Sequence, residues 1–159
     1  MSLLTSLRDG LIRSGQTVAA AESATGGALQ SAIVAAPDAM RFFQGGITAY
    51  NLGQKSRHLH IEPIHAQEVN CVSERVAAEM AAGACRLFRS DWGISITGYV
   101  TPVPESGNKV FAWYGIAKGE DIVESRRLDA LDEDPEHIRH WYAEKSLEAF
   151  LACLKRAGK

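Results

Sequence analysis

The residues best placed to do chemistry form the run Glu22-Ser23-Ala24-Thr25-Gly26-Gly27, directly after a short β-prone stretch from Thr17 to Ala21. In α/β proteins ligands collect beyond the carboxyl ends of strands, where a following helix directs unpaired N–H groups and partial positive charge at them. A serine in that place can attack a carbonyl, with backbone N–H groups of Thr25 or Gly26 stabilising the oxyanion. Gly26 and Gly27 remove side chains that would block close approach, and Ser23 and Thr25 offer hydroxyls. The same run also suits a local purpose, in which Ser23 or Thr25 caps the helix and the glycines permit tight packing. It matches neither Gly-x-Ser-x-Gly nor a phosphate loop ending in Gly-Lys-Ser/Thr, so neither of those mechanisms is imported.

The remaining reactive side chains are more scattered. His58, His60 and His65 lie near one another in sequence, but no cysteine or paired carboxylate completes a ligand set, and no metal site is expected. His137 and His140 share a helix face, which reads as a polar surface. Cys71, Cys85 and Cys153 are odd in number and lack a Cys-x-x-Cys pairing, a usage that fits a reducing cytoplasm. Trp92, Trp113 and Trp141 read as core or subunit contacts, and a homo-oligomer is compatible with them.

Composition narrows the classes further. With 46% hydrophobic and 23% charged residues the chain is ordinary for a globular domain, and 159 residues suit one core, so residues 1–159 are read as a single domain. A formal net charge of -2 without a Lys/Arg cluster argues against nucleic acid as a partner. No segment approaches the length of apolar residues that a membrane span needs, so a cytoplasmic, unanchored protein is expected.

The elements that must carry the turn follow from periodicity. Leu3, Leu4, Leu7, Leu11 and Ile12 predict an amphipathic helix closed by Gly15, and residues 26–36 a second, partly buried helix. A strand is expected at Ile47 to Tyr50, a polar helix at about 51–59, and a loop at 61–70. Ser73 reads as the cap of a helix whose apolar face is Val76, Met80, Ala84, Leu87 and Phe88. A buried strand at Trp92 to Thr97 runs into a proline-bearing loop at 98–108, and a hairpin turns at Gly119-Glu120-Asp121. The last helix starts near Asp134-Pro135. Strands alternating with helices predict an α/β fold on a largely parallel sheet, covered on both faces, with an antiparallel strand from the hairpin.

Four segments, taken in order, resemble one family. Thr17 to Gly27 is similar to the Glu-Ser-Cys-Thr-Gly-Gly signature of the CinA carboxy-terminal domain, which includes stand-alone nicotinamide mononucleotide deamidases. Phe43 to Tyr50 with Lys55, Val72 to Ala77, and Ile94 to Gly98 resemble its later motifs. The resemblance implies a three-layer α/β/α sandwich on a mixed, mostly parallel sheet. It also implies a serine amidohydrolase that converts nicotinamide mononucleotide and water to nicotinate mononucleotide and ammonia, without metal or cofactor. Carried over by position, Ser23 is the nucleophile, Lys55 its general base, and Tyr50 a hydroxyl that relays or orients the proton. Thr25, Gly26, Gly27, Gly46, Thr97 and Gly98 are the implied contacts to a small-molecule nucleotide or amide substrate.

Three stretches differ from the family pattern. Ala24 replaces the cysteine, Asn51-Leu52-Gly53-Gln54 stands where the family has Ser-Asn-Glu-Ala, and Tyr99 to Glu105 replaces a glycine-rich run. Pro102 and Pro104 lack the N–H groups with which such a run would wrap a phosphate. These differences motivate an alternative reading: a paralogue with altered substrate, or without catalysis, that binds a small ligand or a partner.

Overall fold

Val18–Glu22 (β1) is buried along its whole length, as a strand covered on both faces must be. The computed structural model describes residues 1–159. β1 lies between two parallel neighbours, Phe43–Thr48 (β2) and Trp92–Gly98 (β3). β3 then pairs antiparallel with Phe111–Lys118 (β4), and β4 with Asp121–Asp129 (β5). The sheet is mixed, in the order β2-β1-β3-β4-β5, parallel through its first half and antiparallel through the hairpin.

Helices cover both faces. Leu3–Ser14 (α1), Ala28–Val34 (α2) and Pro135–Ala157 (α6) bury Leu7, Leu11, Leu29, Ile33, Tyr142 and Phe150 against Val18, Ala20, Ile94 and Ile96. On the other face Leu52–Leu59 (α3), Pro63–Glu68 (α4) and Glu74–Phe88 (α5) pack Leu59, Ala66, Val76 and Met80 on Ala19 and Ala21. The alternation of β1 side chains between the two clusters is the period of two that a strand imposes. The result is the three-layer α/β/α arrangement.

Most caps follow the sequence signals. Ser73 Oγ accepts the Val76 N–H at the start of α5, and Asp134 accepts from Glu136 and His137 ahead of Pro135 in α6. Three segments depart from expectation. Residues 61–70 were expected to be a loop, yet they hold α4: the Glu62 carboxylate accepts the N–H groups of Ile64 and His65, and Pro63 takes the first helical position, where its missing N–H costs nothing. The second strand ends at Thr48 rather than Tyr50 and includes Gly45-Gly46, because these glycines pair with Ala19 and Ala20 and give room to the side chains of Phe88 and Gln30. The second helix begins at Ala28 instead of residue 26, after a turn in which Gly26 and Gly27 take positive φ.

Candidate active site

The site begins with a carboxylate. Glu22, the last residue of β1, is fully buried, and four donors converge on it. Its Oε1 accepts Thr25 Oγ1–H at 2.6 Å and Leu29 N–H at 3.0 Å; its Oε2 accepts Gln30 N–H at 2.9 Å and the Gln30 side-chain amide at 2.8 Å. A negative charge at the start of α2 is favourable, since the first N–H groups of a helix lack intrahelical partners. Of the two readings open for this run, capping by Ser23 or Thr25 does not hold: the cap is Glu22, and Gly27 at the N-cap position makes no side-chain bond.

Relieved of capping, Ser23 has another partner. Lys55 Nζ lies 2.9 Å from Ser23 Oγ. Lys55 sits in the first turns of α3, whose start is fixed by Asn51 Oδ1 accepting the Gln54 N–H at 3.0 Å. Its relative exposure is 1% and that of Ser23 is 6%, and the lysine forms no ion pair. Burial disfavours the ammonium form and lowers the Lys55 pKa from its ordinary value, opposed more weakly by Cys71 nearby. A lysine so placed can accept a proton from the hydroxyl it faces.

A cleft of about 310 Å³ opens at this pair, lined also by Tyr50, Gln67, Asn70, Cys71 and Thr97. Asn70 and Cys71 both take positive φ, and their turn is tied down where Thr97 Oγ1 donates to the Cys71 carbonyl at 2.6 Å and Cys71 N–H donates to Ala66 O at 2.7 Å. Tyr50 lines the cleft but is 72% exposed, and its hydroxyl bonds to neither Ser23 nor Lys55.

Apart from Thr97, the other positions named from the sequence are spread around the cleft rather than in it. Thr25 is committed to Glu22. The Gly26 N–H donates to Ser23 O at 2.9 Å, so it is already occupied and is removed from the oxyanion candidates. The N–H groups of Ala24 and Thr25 have no partner within the chain. Gly46 faces Gln30 in β2, and Gly98 lies so close to Ala112 of β4 that a Cβ there would overlap the neighbouring backbone. Of the six implied substrate contacts, Thr97 alone lines the cleft. None of Tyr99 to Glu105 does. The Tyr99 carbonyl instead accepts from Tyr142 OH at 2.8 Å, and the Tyr99 ring meets Phe111 edge-on at 5.5 Å. The histidines are engaged separately, His58 with Gln54 and His65 with Ser73.

Three participants were not selected from the sequence. Glu22 belongs to the signature run, but its partners are backbone groups seven and eight residues on. Cys71 had a signal only in preceding the Val72-Ser73 segment. Arg139 donates Nε–H to the Ala24 carbonyl at 3.2 Å from 115 positions away, and no local pattern announces it.

No helix is long and apolar enough to cross a membrane. Comparison with known proteins places this arrangement in a family. A CinA-like protein of Trichodesmium erythraeum is 35% identical over 92% of this chain and 34% of its own length, and one of Gloeobacter violaceus is 34% identical over 92% of this chain and 34% of its own length. The chain thus spans about a third of the length of the curated relatives it matches. Among solved structures, a CinA superfamily protein of Klebsiella pneumoniae superposes with a TM-score of 0.90 at 27% identity, over 97% of this chain and 96% of that one. One from Escherichia coli gives 0.87 at 30% identity, over 94% of this chain and 87% of that one. Residues 1–154 match the family described as the CinA C-terminal domain, and the chain belongs to that family.

Proposed function

We propose that the chain is a serine amidohydrolase of the nicotinamide mononucleotide deamidase type, with Ser23 as nucleophile and Lys55 as general base. The observation that carries this reading is the buried 2.9 Å contact between Lys55 Nζ and Ser23 Oγ at the floor of an open cleft. Neutral Lys55 takes the Ser23 proton as Oγ attacks the carboxamide carbon. The resulting ammonium then returns the proton to the departing nitrogen, which leaves as ammonia. Water, deprotonated by the same lysine, cleaves the acyl-serine ester, releases the carboxylate and restores Ser23. The unpartnered N–H groups of Ala24 and Thr25 are the candidate donors to the oxyanion. Tyr50, exposed at the mouth, is suited to passing protons between Lys55 and solvent.

Arg139 supplies a positive charge beside the turn, appropriate to a phosphate monoester. Tyr99 to Glu105, the stretch whose prolines favoured a non-catalytic module, does not line the cleft and so does not obstruct a substrate there. Incubation with nicotinamide mononucleotide and measurement of ammonia tests the proposal. Release above that of Ser23→Ala and Lys55→Met controls is the expected result; equal release from all three sinks it.

A further inference from the structure

The loop that joins β5 to α6 holds a leucine out in water. Leu131 is 95% exposed, the most of any large apolar side chain. Its backbone is nevertheless fixed on both sides. Ala130 N–H donates to Val110 O at 3.0 Å, and Asp132 Oδ1 accepts the N–H groups of Glu133 at 2.6 Å and Asp134 at 3.0 Å. Asp132 Oδ2 lies 3.2 Å from His137 Nδ1, which ties the loop to the first turn of α6. A loop already ordered in this way pays little further entropy when something binds to it.

Leu131 lines a groove of about 740 Å³, more than twice the volume of the cleft at Ser23 and sharing no residue with it. Ile138 is buried and Trp141 half-buried, which gives the groove an apolar floor, whereas Glu133 and Glu144 are exposed at its sides. Neither glutamate has an ion-pair partner. An apolar centre with an aromatic side chain and a polar rim is the composition of a protein interface. The charge around it is one-sided. Residues 129–148 hold seven Asp and Glu against Arg139 and Lys145, a net of -5 in a chain whose total is -2. Nucleic acid and anionic membrane surfaces carry the same sign and are repelled.

We propose that the groove between residues 130–133 and the first turns of α6 docks a basic amphipathic segment of a partner protein. An aliphatic or aromatic residue of that segment packs on Leu131 and Trp141, and its lysine or arginine side chains pair with Glu133 and Glu144. Desolvation of the apolar contact supplies the affinity, and the carboxylates orient the segment and speed its encounter. A small amine engages the carboxylates but leaves Leu131 in water, whereas a peptide passing over the loop covers it.

Fluorescence anisotropy of a short fluorescein-labelled peptide of alternating lysine and leucine, titrated with the full chain, tests the proposal. The peptide binds, and its affinity falls as salt is raised. Leu131→Ser, at a side chain already in solvent, weakens binding at least about tenfold. Glu133→Gln combined with Glu144→Gln does the same and flattens the salt dependence. Peptides of alternating glutamate and leucine, or lysine and serine, bind at least about tenfold more weakly than the lysine-leucine probe. Ser23→Ala binds like the wild type, because the cleft takes no part. Circular dichroism verifies that each variant is folded. Failure of the lysine-leucine peptide to bind, or equal binding by Leu131→Ser, overturns the assignment. Displacement of the peptide by an equal concentration of spermidine gives the groove to a small cation instead, and dissociation of self-associated chains by the peptide gives it to a second copy; either result also overturns the assignment.

Discussion

Lys55 Nζ lies 2.9 Å from Ser23 Oγ although the two residues are 32 positions apart and both are buried. No carboxylate compensates the lysine, so its charged form is costly and its proton is lost more readily than that of an exposed lysine.

Replacing Lys55 by methionine is predicted to abolish the proposed hydrolysis while raising stability. Because burial lowers the folded-state pKa, the unfolded chain binds more protons at this position, and stability rises with pH up to the ordinary lysine range. The advantage of Lys55→Met over the wild type should be largest at low pH and shrink as that range is approached. Urea denaturation at several pH values measures it. In the wild type, kcat/KM should rise with pH through a midpoint below the ordinary lysine value.

Glu22→Ala is predicted to cost about 2–4 kcal/mol, since it strands the Leu29 and Gln30 N–H groups and the Thr25 hydroxyl in a buried setting. Glu22→Gln should lose less, because its carbonyl still accepts. Equilibrium unfolding gives both values, and a cost below about 0.5 kcal/mol for the alanine variant contradicts the capping assignment.

Iodoacetamide is predicted to inactivate the chain through Cys71, which lines the cleft, while Cys85 and Cys153 lie buried in the core. Burial raises the Cys71 pKa, partly offset by Lys55, so modification should quicken as the solution becomes alkaline. Peptide mass spectrometry locates the label. The variant Cys71→Ala should keep its activity and resist the reagent.

The fold could be read where local physics decides the outcome. Ser73 ahead of Val76 and Met80, and Asp134-Pro135 ahead of Ile138, combine a cap with a periodic apolar face, and both helices start there. At Glu62-Pro63 the same kind of cap was present, but the helix it starts is only one to two turns long, too short to show a period. Gly45-Gly46 reads as a breaker until Phe88 and Gln30 are seen to occupy the space.

Within the site, Ser23 was visible from its place after a strand, whereas Lys55 stood out only through family resemblance, because its depth depends on how α3 packs. Arg139 was invisible since its partner is a carbonyl on the far side of the sequence.

The strand that delivers Ser23 has a consequence of its own. Three of the five residues of β1 are alanines wedged between helices on both sides. Such a strand has almost no rotamers to exchange, so thermal motion of the surrounding side chains has little to push against. Enlarging Ala19, Ala20 or Ala21 by even a few carbons would pry the layers apart, and the Ser23 oxygen would be displaced with the backbone that carries it. Tolerance to mutation should therefore fall steeply along the chain on approaching Ser23, before any residue that lines the cleft is reached.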